Sequence, residues 1–122
     1  MNNPEIVQPL SCDIDLETLK YSQDGLIPSV VVDENGVVLM VAYMDKTALE
    51  RSINTGRTWF YSRSRQTYWA KGETSGNVQM IKEIRCDCDL DTLLVKVVQT
   101  GEGACHTGEY SCFFNTIAKE NR

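Results

Sequence analysis

The chain has 122 residues, a formal net charge of −5, and 42% hydrophobic and 24% charged residues. This composition is that of a globular protein, and the length fits one domain of about 100–200 residues, so a single domain over residues 1–122 is predicted. The acidic balance disfavours non-specific binding to nucleic acid. The longest apolar run, Val37–Met44, falls well short of the roughly 20 residues that a membrane span needs, so no membrane association is expected.

The N-terminus, Met1–Glu5, has no basic stretch followed by an apolar core. We therefore expect no signal peptide and a cytoplasmic protein. The cysteines number five, and an odd count in this setting argues against a disulfide framework. Pro4 and Pro9 interrupt regular structure, so residues 1–12 are predicted to form an irregular N-terminal arm.

Two short helices are predicted along the chain. An aspartate of Asp13–Asp15 caps the first, over roughly Leu16–Tyr21. Thr47 followed by Glu50 fits a capping box for the second helix, and Gly56 stands where a C-terminal stop belongs.

The rest of the chain is rich in β-prone runs, which are Pro28–Asp33, Val37–Tyr43, Thr58–Ser62, Thr67–Ala70, Val78–Arg85 and Thr92–Gln99. Asn35-Gly36 between the first two runs indicates a hairpin. Lys71–Asn77 contains two glycines and small hydroxyl residues, so it is predicted to be a loop. These elements predict a small, β-rich α+β domain, with a mixed or antiparallel sheet that resembles half a barrel and two short helices.

Charge is unevenly distributed along the sequence. Residues 57–85 carry a net charge of +4, so the remainder carries −9. The segment forms either a solvated basic face or a pocket for a small anion such as phosphate, and charge alone does not separate these alternatives.

Three aspartates alternate in the run Asp87-Cys88-Asp89-Leu90-Asp91. If this run is extended, the aspartates share one side of a strand and Cys88 points to the other. Like charges at that spacing repel, and a hard divalent cation such as Mg²⁺ relieves the repulsion. The alternative interpretation is an acidic loop in water.

The second candidate group comprises Cys88, Cys105 and Cys112. Catalytic zinc commonly has three protein ligands and one open position. The spacing is not that of a Cys-x-x-Cys pair, and buried inert thiols remain the competing explanation. His106, next to Cys105, is either a fourth ligand, a general base or a hydrogen-bonded surface residue. Cys86 shares a strand face with Cys88, so a Cys86-x-Cys88 chelate is also conceivable.

Three motifs in this order resemble the phosphoribosyl-AMP cyclohydrolase family of histidine biosynthesis. They are GETSGN at 72–77, DCDLD at 87–91 and GACHTGEYSCF at 103–113. The resemblance extends from about Leu26 to Phe114, and because the chain ends soon afterwards it looks like the monofunctional form. It implies hydrolytic opening of the adenine ring of phosphoribosyl-AMP at the N1–C6 bond, by a zinc-activated water.

The resemblance also implies a small, intertwined homodimer with two kinds of metal site. Zinc, one per subunit, is expected on Cys88 of one subunit and on Cys105 and Cys112 of the other, and Mg²⁺ on Asp87, Asp89 and Asp91. Cys86 falls outside these positions.

The phosphorylated nucleotide substrate would explain the basic segment. Candidate contacts to its phosphates or ribose are Arg63, Ser64, Arg65, Lys71, Thr74 and Ser75. Trp69 either stacks on the base or belongs to the core. His106 is the first candidate for the general base and Glu73 the second. Two other functions stay open, a zinc-stabilised binding or scaffold domain without catalysis and a redox-thiol protein.

Overall fold

The computed structural model describes residues 8–121. Its regular elements are β1 (Ile27–Val32), β2 (Val38–Met44), α1 (Lys46–Thr55), β3 (Trp59–Ser62), β4 (Thr67–Ala70), β5 (Gln79–Cys86) and β6 (Leu93–Gln99). The chain is therefore a strand-rich α+β protein, as predicted. Within the described range no helix has the length and apolar character that a membrane span requires.

The strands form two open sheets. The larger has the order β2-β1-β6-β5, with β1 and β6 parallel and the other two pairs antiparallel. The smaller is the antiparallel hairpin β3–β4. The sequence left open whether the sheet is mixed or antiparallel, and the larger sheet is mixed. β1 and β6 are the central strands, and the face that packs on the core is buried along both of them, at Ile27, Val31, Leu93, Val95 and Val97.

The first predicted helix is wrong in type and length. Only a 3-10 turn forms, Leu16–Thr18, and Leu19 is already extended with ψ 147°. The Asp15 side chain accepts the Glu17 N–H as a cap, but the Lys20 N–H then donates to Leu90 O at 2.7 Å. This long-range bond to the turn before β6 replaces the next helical bond, so the helix does not extend.

The second helix, α1, is capped differently from the prediction. Asp45, not Thr47, is the N-cap, and its side chain accepts the Ala48 N–H at 2.8 Å. The helix therefore begins before Thr47, which removes Glu50 from the position that a capping box requires. Gly56 ends the helix in the left-handed conformation, with φ 74°, as predicted.

Part of the predicted N-terminal arm, residues 1–7, lies outside the described residues. The remainder, residues 8–12, has no helix or strand but is held by hydrogen bonds. The backbone N–H groups of Gln8 and Leu10 donate to Thr55 O at 3.1 Å and Ile53 O at 2.8 Å. This segment is therefore attached to the end of α1.

The core lies between the larger sheet, α1 and the β3–β4 hairpin. Its fully buried side chains include Ile27, Val31, Leu39, Leu49, Phe60, Val95 and Val97. On the opposite face of the larger sheet, the side chains of Val41, Tyr43 and Leu94 are 48%, 37% and 42% exposed, so this face is much less buried than the core face. An apolar sheet face of this kind is typical of a surface that another layer covers.

We predict that Gly56→Ala lowers the free energy of unfolding more than Gly36→Ala does. Both glycines have positive φ, 74° and 84°, which costs a non-glycine residue about 1–2 kcal/mol. At Gly56 a Cβ would also lie 2.3 Å from Gln8 O, whereas at Gly36 it meets nothing within 4 Å. This close approach should add about 1–3 kcal/mol. Chemical denaturation of the two variants measures the difference, and equal losses would contradict the packing of residues 8–10 on α1.

Candidate functional site

The aspartates of the DCDLD run lie in a tight turn between β5 and β6. Asp87 Oδ1 accepts the N–H groups of Asp91 at 3.0 Å and Thr92 at 3.2 Å. Leu90 has φ 62°, and its N–H donates to Asp87 O at 3.0 Å. The run is therefore a turn and not an extended strand, the case considered for it in the sequence analysis, because the chain must reverse here to pair β5 with β6. The turn still brings carboxylate oxygens of Asp87, Asp89 and Asp91 within 4.8 Å of one another.

Negative charge is concentrated in this aspartate turn. The backbone N–H of Asp91 is the largest influence that lowers the pKa of the Asp87 carboxyl. The hydrogen bond to Asp87 raises the pKa of Asp91, and the charges of Asp87 and Asp89 add to that rise. Three exposed carboxylates at this distance form a donor set of the kind that a hard divalent cation prefers. The acidic cluster can thus hold a metal ion.

The other candidate ligands lie in the cysteine loop, Gly103–Cys112, which follows β6. The loop folds back on itself, because Ala104 N–H donates to Tyr110 O at 2.9 Å and Cys105 N–H to Glu109 O at 3.2 Å. Its two thiols, of Cys105 and Cys112, come within hydrogen-bonding reach of each other.

Close packing in this loop requires a glycine at position 103. Gly103 has φ 140°, and a Cβ there would lie 2.3 Å from the Cα of Tyr110. The loop is also tied to the rest of the chain, because Lys71 Nζ donates to Ala104 O. These contacts fix the path of the backbone on either side of Cys105.

The two thiols of the loop differ in acidity. Cys105 is buried, and the Thr107 hydroxyl donates to its sulfur at 3.0 Å, which is the largest influence that lowers the pKa of Cys105. Although Cys112 is an exposed residue, packing around its sulfur raises the pKa of that thiol, and Cys105 raises it further. The Lys71 ammonium lowers both values. Cys105 therefore supplies the first thiolate of the pair, and thiolates are preferred zinc ligands.

Cys88 does not join these two thiols within one chain. It lies exposed in the aspartate turn, which precedes β6, whereas the cysteine loop follows β6. At about 3.3 Å per residue, the seven residues Leu93–Gln99 span about 20 Å. Over residues 8–121 the only group of three metal-ligating side chains gathered in one place is the aspartate cluster. The predicted three-thiol set is thus divided between the two ends of one strand.

The two thiols of the conceivable Cys86-x-Cys88 chelate lie at the end of β5 and in the aspartate turn. Cys86 ends β5 and lines a separate cavity of about 540 Å³ with Cys12 and residues of α1. Neither thiol belongs to a three-ligand group in the described part of the chain.

The two candidate bases are exposed and lie on neighbouring segments. His106 follows Cys105 in the cysteine loop. Glu73 lies in the loop between β4 and β5, as predicted for Lys71–Asn77, and its N–H donates to Ala70 O at 3.1 Å. Lys71 joins the two segments through its bond to Ala104 O.

Three of the six predicted substrate contacts line one groove. This aromatic groove, of about 530 Å³, is bounded by Ala42, Tyr43, Tyr61, Ser62, Arg63, Ser64, Arg65 and Trp69. The Arg63 guanidinium lies 4.8 Å from the Tyr43 ring centroid. Of the other three, Lys71 lies near the groove, with its ammonium 5.8 Å from the Trp69 ring centroid, whereas Thr74 and Ser75 are exposed in the β4–β5 loop.

Aromatic residues of this groove were missed or left open in the sequence analysis. Trp69 packs on Phe60 of the core, at 4.8 Å between ring centroids, and its side chain also lines the groove. The sequence pattern predicts Tyr43 and Tyr61 only as strand residues. The signal that could have found Tyr43 is strand alternation, which places it opposite the buried Met44.

Comparison with known proteins agrees with these motifs. The family model described as phosphoribosyl-AMP cyclohydrolase matches residues 40–114. The phosphoribosyl-AMP cyclohydrolase of Pelotomaculum thermopropionicum is 57% identical over 87% of this chain and 82% of its own length. That of Listeria innocua is 53% identical over 86% of this chain and 99% of its own. The chain belongs to the phosphoribosyl-AMP cyclohydrolase family. The family and enzyme class predicted from the sequence motifs are confirmed.

A relative of different length is the histidine biosynthesis bifunctional protein HisIE of Thermosynechococcus vestitus. It is 54% identical over 85% of this chain but only 49% of its own length. The family match at 40–114 contains every candidate ligand, base and substrate contact, from Arg63 to Cys112. Family membership therefore favours an enzyme over a scaffold domain.

We predict that Thr107→Val raises the pKa of Cys105 in the metal-free protein, because it removes the hydroxyl that donates to the sulfur. At a given pH near that pKa, less thiolate should then be present. The pH dependence of the ¹³Cβ shift of labelled cysteine measures the change. Thr107→Ser retains a hydroxyl and should keep the original value, so a rise in the serine variant as well would contradict this cause.

Proposed function

We propose that this chain opens the adenine ring of 1-(5-phosphoribosyl)-AMP by hydrolysis, a step in histidine biosynthesis. Water adds at C6 and the N1–C6 bond breaks, which gives the phosphoribosyl-formimino-aminoimidazole carboxamide nucleotide. The observation that carries this proposal is the family match, with 57% identity to a relative named for that activity. We expect the enzyme to act in the cytoplasm.

The proposed zinc ligands are Cys88, Cys105 and Cys112, with one ion per subunit. The donor chemistry fits, because the thiols of Cys105 and Cys112 are close enough to influence each other's pKa and the pKa of Cys105 is lowered. When bound, zinc would supply the Lewis acid that activates water for attack on a purine C6. Three protein thiolates leave a fourth position open for substrate water.

Completion of this ligand set requires a second copy of the chain. Cys88 lies one strand length from the cysteine loop, so a partner subunit must bring its own Cys88 to that loop. The open apolar face of the larger sheet, with Val41, Tyr43 and Leu94 exposed, supports association of two copies. We therefore propose a homodimer with zinc held between subunits.

The aspartate turn is the proposed Mg²⁺ site. Cys88 lies between Asp87 and Asp89, so a dimer that brings Cys88 to the partner's thiols brings these carboxylates to the same place. Mg²⁺ usually retains several waters that a phosphate or ribose oxygen can replace. The carboxylates would thus hold the ion against the substrate.

The aromatic groove is the proposed site for the substrate phosphates. Arg63 and Arg65 supply guanidinium groups, and Ser64 a hydroxyl, at one end of the hairpin β3–β4. Lys71 extends the basic surface toward the cysteine loop, and Thr74 and Ser75 follow it. A basic groove on a chain of net charge −5 is consistent with an anionic small molecule as ligand.

Proton transfer is assigned to residues beside the thiols. His106 adjoins Cys105 and is exposed, so it can take a proton from the attacking water and return it to N1 as the C–N bond breaks. Glu73 is the second candidate, because Lys71 ties its loop to Ala104.

We predict that turnover of phosphoribosyl-AMP requires both metal and Cys105. Purine ring opening can be followed by ultraviolet absorbance, with and without a chelator, and Cys105→Ser should lose at least about a hundredfold in rate. Cys12→Ser is the matched control and should retain full activity, because Cys12 lies outside the proposed centre. A folded protein that holds zinc but has no turnover would contradict the proposed activity.

A mixing experiment tests whether subunits share the zinc. Cys88→Ser and Cys112→Ser should each be inactive as pure dimers. After unfolding and refolding together in equal amounts, half the dimers are mixed, and each mixed dimer has one complete site. Activity should then recover to about a quarter of the wild-type value, as two-fold symmetry requires. No recovery, with mixed dimers demonstrated by mass spectrometry, would show that each chain binds zinc by itself.

A further inference from the structure

We propose that the hydrogen bond between Tyr110 and Asp33 positions the cysteine loop so that Cys105 and Cys112 bind zinc together. This inference rests on the zinc centre proposed above. It assigns a role to two residues that are neither ligands nor substrate contacts and that lie 77 positions apart in the sequence.

Asp33 is a rigid anchor in the turn between β1 and β2. It is only 5% exposed, and its Oδ1 accepts the N–H groups of Asn35 and Val37, both at 2.9 Å. Its Oδ2 accepts the Tyr110 hydroxyl at 2.6 Å. Both carboxylate oxygens are therefore engaged, and the turn holds the carboxylate in one orientation.

The ionised state of Asp33 strengthens this contact. The Tyr110 hydroxyl is the largest influence that lowers the pKa of Asp33, and the carboxylate raises the pKa of Tyr110 to about 12. A neutral phenol that donates to a carboxylate is a charge-assisted hydrogen bond, which is shorter and stronger than a neutral one.

Backbone hydrogen bonds of the loop connect Tyr110, and through it Asp33, with the segments that carry both thiols. Its carbonyl accepts the N–H of Ala104, which directly precedes Cys105. After Tyr110, the Ser111 hydroxyl donates to Val38 O at 2.7 Å and the Cys112 N–H to Leu39 O at 2.8 Å. The side chain of Tyr110 thus connects the β1–β2 turn with the part of the loop between the two cysteines.

Groups that orient metal ligands commonly contribute to metal affinity without touching the ion. Loss of the Tyr110 hydroxyl leaves Asp33 Oδ2 without its donor and removes the side-chain contact that ties the segment between the cysteines to the β1–β2 turn. The thiols must then be brought together when zinc binds, and this ordering lowers the affinity.

The test compares Tyr110→Phe with Tyr21→Phe. The control also removes one tyrosine hydroxyl, which donates to Leu16 O at 3.0 Å in a segment far along the chain from the cysteine loop. The zinc dissociation constant is measured by competition with a chromophoric chelator, and the Co²⁺-substituted proteins are compared by their thiolate charge-transfer and d–d bands. Thermal unfolding of the metal-free proteins reports the purely structural cost of each substitution.

We expect Tyr110→Phe to weaken zinc binding at least about tenfold and to alter the Co²⁺ spectrum, as loss of a ligand-orienting group does. Tyr21→Phe should lower only the melting temperature. A Tyr110→Phe protein with wild-type zinc affinity would overturn the positioning role and leave the zinc centre intact. Wild-type protein that binds no zinc would instead overturn the zinc centre and this role with it.

Discussion

The length of β6 is the constraint on which the functional organisation depends. The aspartate turn with Cys88 precedes this strand, and the cysteine loop follows it. A strand is stiff and nearly fully extended, so about 20 Å separates its ends and no side chain can span them. β6 cannot bend to shorten this distance, because it lies between β1 and β5 and hydrogen-bonds to both. A chain of this fold therefore keeps Cys88 apart from Cys105 and Cys112, which is why the proposed zinc site needs the proposed second subunit.

The ordered geometry of each group comes from the backbone more than from its ligating side chains. In the aspartate turn, Asp87 accepts two backbone N–H groups, and these bonds hold three mutually repelling carboxylates close together. In the cysteine loop, Gly103 allows the backbone to cross Tyr110, and Asp33 holds the Tyr110 hydroxyl. Such preorganisation lowers the ordering cost when an ion binds.

Lys71 connects the cysteine loop with the aromatic groove. Its ammonium lies near the Trp69 ring, donates to Ala104 O and lowers the pKa of both thiols of the loop. Trp69 in turn packs on Phe60 of the core. The basic hairpin and the proposed zinc ligands are thus parts of one continuous surface, although they are separated by some 40 residues in the sequence.

The sequence by itself determined the family, because its motifs are specific in combination. It also determined the strand-rich class and the six strands to within one or two residues, because strands depend on local alternation, and the glycine that ends α1, because that position depends on backbone preference. It placed the start of the first helix at Leu16 correctly but not its early end, because the Lys20 N–H bonds to Leu90 O instead of continuing the helix. It did not indicate the start of α1, because Asp45 replaces Thr47 as the N-cap. It also left the shape of the aspartate run open between an extended segment and a loop, and antiparallel pairing of β5 with β6 makes it a turn. Only the tertiary structure decided that Tyr43 and Tyr61 line the groove with Arg63 and that Asp33 meets Tyr110. These are distances between residues far apart in the chain, and no local pattern encodes them.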